Sequence, residues 1–203
     1  MISIAPDRDW QSEHVCVPKQ LKERQAMGNN YTVRVWAVLG SGSTGKSSVV
    51  GNLISQLGKG PGGTKWVPLR GGGYLQINAR RQSLQEAKRT KERVVKDAIA
   101  DARALQKKHQ ISIAYYNLLV AIRADDGVNG LPPADQYLSY FVDQGWTIES
   151  LVILDYNEKE HSKYHAFGAP TLEHYDTSKM VENNKKSEYH WLTGPVRNHL
   201  GWA

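Results

Sequence analysis

Val33-Arg34-Val35-Trp36-Ala37-Val38-Leu39 runs directly into Gly40-Ser41-Gly42-Ser43-Thr44-Gly45-Lys46-Ser47. The first part is rich in β-branched and aromatic residues, which suit a pleated, buried strand. The second keeps the spacing G-x-x-x-x-G-K-S/T, and behind it Val49, Val50, Leu53, Ile54 and Leu57 recur at helical intervals. Strand, glycine-rich loop and amphipathic helix in that order predict a βα unit whose loop binds phosphate. The alternative is a plain Gly/Ser-rich turn, and the order of strand, loop, Lys-Ser and helix argues against it.

The chemistry explains the residue types. A loop that wraps a polyphosphate must aim successive backbone N–H groups inward, which takes unusual backbone angles and close approach, so glycines at 40, 42 and 45 are apt. Gly40, Ser41, Gly42, Ser43, Thr44, Gly45, Lys46, Ser47 and Ser48 form the candidate nucleotide cradle. The helix that opens near Lys46 adds its positive end. Lys46 is expected to reach the outer phosphates, and the Ser47 hydroxyl to help hold Mg²⁺.

At 203 residues the chain suits one domain, with a short extension up to about residue 30. Apolar residues at 40% and charged residues at 23% fit an ordinary globular protein, and no apolar run approaches the roughly eighteen residues of a membrane span. The start, with Asp7 and Asp9, lacks the apolar run of a signal peptide, and a lone Cys16 cannot close an internal disulfide. Both point to a reducing, cytoplasmic setting. The net charge of +6 is uneven: from Lys59 to Lys108 thirteen Lys/Arg face four Asp/Glu, whereas the remainder is net acidic. That region is either a surface for a polyanion such as nucleic acid or a solvated helix face.

After the first helix, the glycines and proline of residues 58–63 break the pattern, and Trp66 to Leu69 and Tyr74 to Ile77 read as short strands. Between them Gly71-Gly72-Gly73 is either a turn or a place where backbone approaches a substrate. From Ser83 the pattern turns helical through Leu84, Ala87, Val94, Ala98, Ala102 and Leu105, with Ser83 and Glu86 spaced as a capping box and a possible break near Thr90. Tyr116 to Ile122 reads as a buried parallel strand, Pro132-Pro133 opens a helix that stops at Gly145, and Ser150 to Leu154 is the next buried strand. Alternation of this kind predicts an α/β sheet, mostly parallel, with its site at the carboxyl ends of the strands.

Two acids stand at such ends. Asp155 follows four apolar residues directly, while Asp125 follows a run interrupted by Arg123. Either is placed to join a metal shell or to accept the proton of an attacking hydroxyl, and Asp155 is the cleaner match. Cations that would meet phosphate or an acceptor are Arg80 and Arg81 beside the second strand, Lys88 and Arg89 on the basic segment, Lys159 and Lys163 with His161 and His165 in a polar segment after Asp155, and Arg197 near the end. His161 and His165 lie four residues apart without an obvious third metal ligand. In the tail, Trp191, Val196, Leu200 and Trp202 read as packing onto the sheet, with base stacking between aromatic and basic residues as the alternative.

Residues Val33 to Leu57 resemble the P-loop NTPases, and the single-domain layout resembles their nucleotide and nucleoside kinase branch. More loosely, the size, element order and basic second segment resemble the bacteriophage kinases that phosphorylate 5-hydroxymethyluracil in DNA. The resemblance implies a three-layer α/β sandwich with a mostly parallel sheet, ATP and Mg²⁺ as cofactors, and a nucleotide or nucleic-acid hydroxyl as acceptor in the host cytoplasm. A nucleoside or other small-molecule kinase, or a nucleotide-driven switch ATPase, are the alternatives.

Overall fold

The computed structural model describes residues 31–55, 57–59, 64–110, 112–125, 128–155, 161–175 and 190–203. The expected N-terminal extension, Cys16 and Lys159 lie outside the described residues. In chain order the elements are β1 (Thr32–Gly40), α1 (Lys46–Ser55), the two-residue β2 (Gly58–Lys59), β3 (Lys65–Pro68), β4 (Tyr74–Ser83), α2 (Lys91–His109), β5 (Tyr115–Arg123), α3 (Ala134–Asp143), β6 (Thr147–Leu154), β7 (Thr171–Tyr175) and α4 (His190–His199). Short 3₁₀ turns occupy Val128–Gly130 and Ser162–Phe167.

The strands form one sheet in the order β2-β3-β4-β5-β1-β6-β7. From β4 to β7 every neighbour is parallel, and β2 and β3 extend the β4 edge antiparallel. Alternation along β1 sends Val33, Val35, Ala37 and Leu39 to a core with Val94, Ala98 and Ala102 of α2 and Tyr137, Leu138 and Phe141 of α3. It sends Trp36 and Val38 to the opposite core, with Val49, Val50 and Leu53 of α1 and Val196 of α4. Helices on both faces of a mostly parallel sheet make a three-layer α/β fold, as the alternation of elements led us to expect. No helix among the described residues is long and apolar enough to cross a membrane.

Two details differ from the expected elements. β4 continues past Ile77 to Ser83, with a register shift against β5 between Arg80 and Ser83. The helix expected from Ser83 therefore begins only at Lys91. Ser83 Oγ donates to Gln85 Oε1, and Lys88 takes a φ of +53°, which a helix cannot pass. Thr90 supplies the cap instead, its Oγ1 accepting the Arg93 N–H at 3.2 Å.

The triple glycine is a turn. Leu69 N–H donates to the Gly73 carbonyl, Gly72 and Gly73 have positive φ, and Arg70 N–H donates to Gly201. It lies at the amino ends of the parallel strands, the end of the sheet away from the phosphate loop. The chain end docks there: Trp202 pairs with Leu69, and Ala203 N–H donates to Pro68. Val196 and Trp202 are fully buried, in agreement with the packing expected of the tail.

Candidate phosphate-binding site

β1 ends at Gly40, level with Arg123 at the end of β5. The segment that follows β1 leads to α1 on one face, whereas those following β5 and β6 pack on the other, so a crevice opens at the carboxyl end of β1. Gly40 has a φ of +155°, and a Cβ there would stand 2.6 Å from Thr44 Oγ1 and 2.9 Å from the Leu154 carbonyl. Only glycine fits. Ser43 and Gly45 also take positive φ, and the chain then enters α1 at Lys46. Among the described residues, no backbone N–H from Ser41 to Lys46 donates to a protein carbonyl. A turn of unpaired N–H groups at a helix N-terminus suits an anion.

Lys46 is the buried cation of this loop, with 3% of its surface exposed. Its Nζ donates to the Ser41 carbonyl at 2.5 Å and to Thr44 Oγ1 at 3.3 Å, and Thr44 Oγ1 itself donates to Ser41 at 3.0 Å. Burial lowers the ammonium to about 8, with Glu86 and Asp125 pulling the other way and Arg123 adding to the fall. The ammonium is thus held inside the loop against a neutral carbonyl, the kind of partner an arriving phosphate oxygen would outcompete.

Arg123 and Asp125 complete the mouth. Arg123 Nε donates to Asp125 Oδ1 at 3.1 Å, and Nη2 donates to Oδ2. That pairing raises the guanidinium pKa and holds the Asp125 carboxyl below its usual range. Gln85, fully buried in the turn after β4, exchanges two hydrogen bonds with the Arg123 backbone. Asp155 follows Leu154, whose carbonyl lies against Gly40, at the end of β6 on the other side of β1; it is exposed, with a φ of +58° and no ion pair among the described residues. Ser47 and Ser48 lie in the first turn of α1, half-buried.

The structure brings together the loop, Ser47, Asp125 and Asp155, and leaves most of the candidate cations elsewhere. Arg80 is held by Asp101 of α2 at 2.7 Å. Arg81 lies over α1, its Nε 2.7 Å from where a Cβ at Gly51 would be. Arg89 pairs with Asp97 at 2.5 Å, Lys163 with Asp135 at 2.9 Å, and Lys88 is exposed in the turn before α2. Arg197 binds the Ala203 carbonyl at the far end of the sheet, so its guanidinium belongs to the docking of the tail rather than to the loop.

The two histidines also part: His165 pairs with Glu173 at 2.7 Å, while His161 is buried and stacked on Tyr164. Among the described residues no three His, Cys, Asp or Glu side chains gather as a metal site. Magnesium does not require such a group, since it is commonly held by one or two carboxylates together with phosphate oxygens and water.

Sequence reasoning passed over Arg123, reading it as a break in an apolar strand, and over Gln85. The available signal was a charged residue at a strand end two positions before an acid. No protein-family model, no curated protein and no solved structure matches this chain.

Proposed function

We propose that this chain is an ATP-dependent phosphotransferase of the P-loop kinase type, acting on a hydroxyl of a nucleotide or nucleic acid. The observation that carries the reading is Lys46: a buried ammonium held inside a loop at a helix N-terminus whose N–H groups make no close bond to a carbonyl of another described residue. When bound, MgATP supplies the transferable phosphoryl group: the acceptor oxygen bonds to Pγ, the bond to the β,γ-bridging oxygen breaks with its electron pair leaving on ADP, and the hydroxyl proton passes to a base.

Residues 41–46 hold the phosphates through their N–H groups, and Lys46 neutralises charge between them. Ser47 and Asp155 hold the magnesium shell. Asp155, an exposed acid without an ion pair among the described residues, would also take the acceptor's proton. Most of the rate enhancement in such a site comes from positioning and electrostatics.

A polyanionic acceptor is supported by charge placement. Lys88, Lys91 and Lys96 belong to the turn and opening turns of α2, at the same end of the sheet as the loop. The hydroxymethyl group of 5-hydroxymethyluracil in DNA is the acceptor to test first. The experiment is an acceptor screen with γ-labelled ATP across nucleosides, nucleoside monophosphates, oligonucleotides and DNA containing 5-hydroxymethyluracil. Label on the modified DNA, lost with Lys46→Ala, is the expected result. Label on a free nucleoside alone would make this a small-molecule kinase, and phosphate released without a labelled acceptor would make it a switch ATPase.

A further inference from the structure

We propose that Arg123 grips the outermost phosphate of the bound nucleotide, that Asp125 is its positioning partner, and that residue 42 is glycine in order to admit the guanidinium. This rests on reading Gly40 to Ser47 as the nucleotide loop.

Gly42 carries the first step of the argument. Unlike Gly40 and Gly45 it does not have a positive φ, so its backbone conformation is open to any residue. A side chain there would have to push the Arg123 guanidinium aside. A Cβ at 42 would stand 2.6 Å from Arg123 Nη2 and 3.2 Å from Cζ, so the guanidinium occupies the volume that a larger residue would claim.

The guanidinium is also fixed from behind. Two parallel bonds from Nε and Nη2 to the Asp125 carboxylate form the fork-to-fork pair that holds an arginine in one orientation. A guanidinium has five N–H donors, so the remaining ones, including both on Nη1, are available to an anion over the loop. The backbone of Arg123 is held by the fully buried Gln85, which accepts its N–H at 3.0 Å and donates to its carbonyl at 3.2 Å. Arg80, Arg89 and Lys163 have no comparable placement, each being paired with an acid on a helix.

Depth assigns the phosphate. Lys46 lies within the loop at 3% exposure, whereas the Arg123 side chain is 17% exposed at its mouth. Lys46 reaches the outer phosphates from within the loop, and Arg123 meets the last of them from the mouth. Asp125 is then occupied in holding Arg123, which leaves the exposed Asp155 and Glu86 as the acids open to metal or acceptor.

The test measures binding of ATP, ADP and inorganic tripolyphosphate by calorimetry in magnesium buffer, with the full chain and its variants. Arg123→Ala is expected to weaken ATP and tripolyphosphate roughly 10- to 100-fold, the worth of hydrogen bonds to a charged group, and to leave ADP within about 3-fold. Gly42→Ala, by displacing the guanidinium, should reproduce the ATP loss, and the double variant should lose no more than the larger single one. Arg123→Lys, which keeps the charge without the fork, should lose most of the discrimination between ATP and ADP and serves even if Gly42→Ala fails to fold.

If the parent chain binds both nucleotides while Arg123→Ala weakens them equally or not at all, the assignment of Arg123 is wrong and the loop reading stands. If Gly42→Ala folds and keeps its preference for ATP, the role of Gly42 is wrong. A parent chain that binds none of the three ligands overturns the loop reading and this assignment with it.

Discussion

Gln85 accepts the Arg123 N–H with Oε1 and donates to the Arg123 carbonyl with Nε2, so one buried side chain takes both backbone groups of the last residue of β5. Oε1 also accepts from Ser83 Oγ, and Nε2 also donates to Pro132 at 3.0 Å, which uses all of the carboxamide's capacity. Gln85→Leu keeps much of the volume and orphans an N–H, a hydroxyl and two carbonyls. It should cost about 2–4 kcal/mol in urea unfolding and weaken ATP binding through Arg123. A variant as stable as the parent would show that this amide is not what fastens the two strand ends.

Lys46 sets function against stability. Burial lowers its ammonium from 10.5 to about 8. Between these values the unfolded chain binds more protons than the folded one, so stability rises with pH across that window. The penalty stands in full below about pH 8 and is relieved by about pH 10.5; its size is on the order of 3 kcal/mol. In metal-free, nucleotide-free buffer, Lys46→Met should be more stable than the parent at pH 7, and the gap should close as the pH reaches 10.5. Nucleotide binding should be lost in the same variant. A gap that stays constant with pH would place its origin somewhere other than the buried charge.

The fold was legible because its signals are local. β1, β5 and β6 are nearly unbroken apolar runs, and Gly40 to Ser47 announces both the end of a strand and the start of a helix. The positions of Asp125 and Asp155 just past β5 and β6 follow from the same logic of strand ends. What was not legible depends on partners distant in sequence. The roles considered for Arg80 and Arg89 ignored Asp101 and Asp97, which the turn of α2 presents to them. Arg123 gains meaning only from Gly42, a residue some eighty positions earlier that the parallel pairing of β1 and β5 brings alongside. The helix boundary was misread at Ser83 because a capping-box spacing cannot reveal that its serine already belongs to a strand.

Charge on the α2 side divides into cations paired with an acid and cations with no ion pair among the described residues, and the two should behave differently. Arg89 and Arg93 share Asp97, whereas Lys88 and Lys96 are exposed. Lys88→Glu and Lys96→Glu should each weaken oligonucleotide binding and lower the slope of log affinity against log salt by about 1. Arg89→Ala should act mainly on stability, by roughly 1 kcal/mol, since it removes a partner of a partly buried carboxylate. Unchanged affinity and salt slope in both lysine variants would mean that this face does not meet nucleic acid.

Trp202 closes the end of the sheet opposite the loop, and its indole separates apolar packing from hydrogen bonding as the source of that closure. The side chain is fully buried in the core shared by α1 and α4, while its Nε1 has no hydrogen-bond partner among the described residues. Trp202→Ala should therefore cost about 3–5 kcal/mol, the range for removing a large buried aromatic. Trp202→Phe gives up part of that volume but also removes a buried donor that has no acceptor, so the second effect offsets the first. The phenylalanine variant is expected within about 1.5 kcal/mol of the parent in urea unfolding, with ATP binding unchanged because the loop lies at the other end of the strands. A phenylalanine variant as unstable as the alanine one would reveal a hydrogen bond to the indole N–H, and would move the closure of this end from packing to a polar contact.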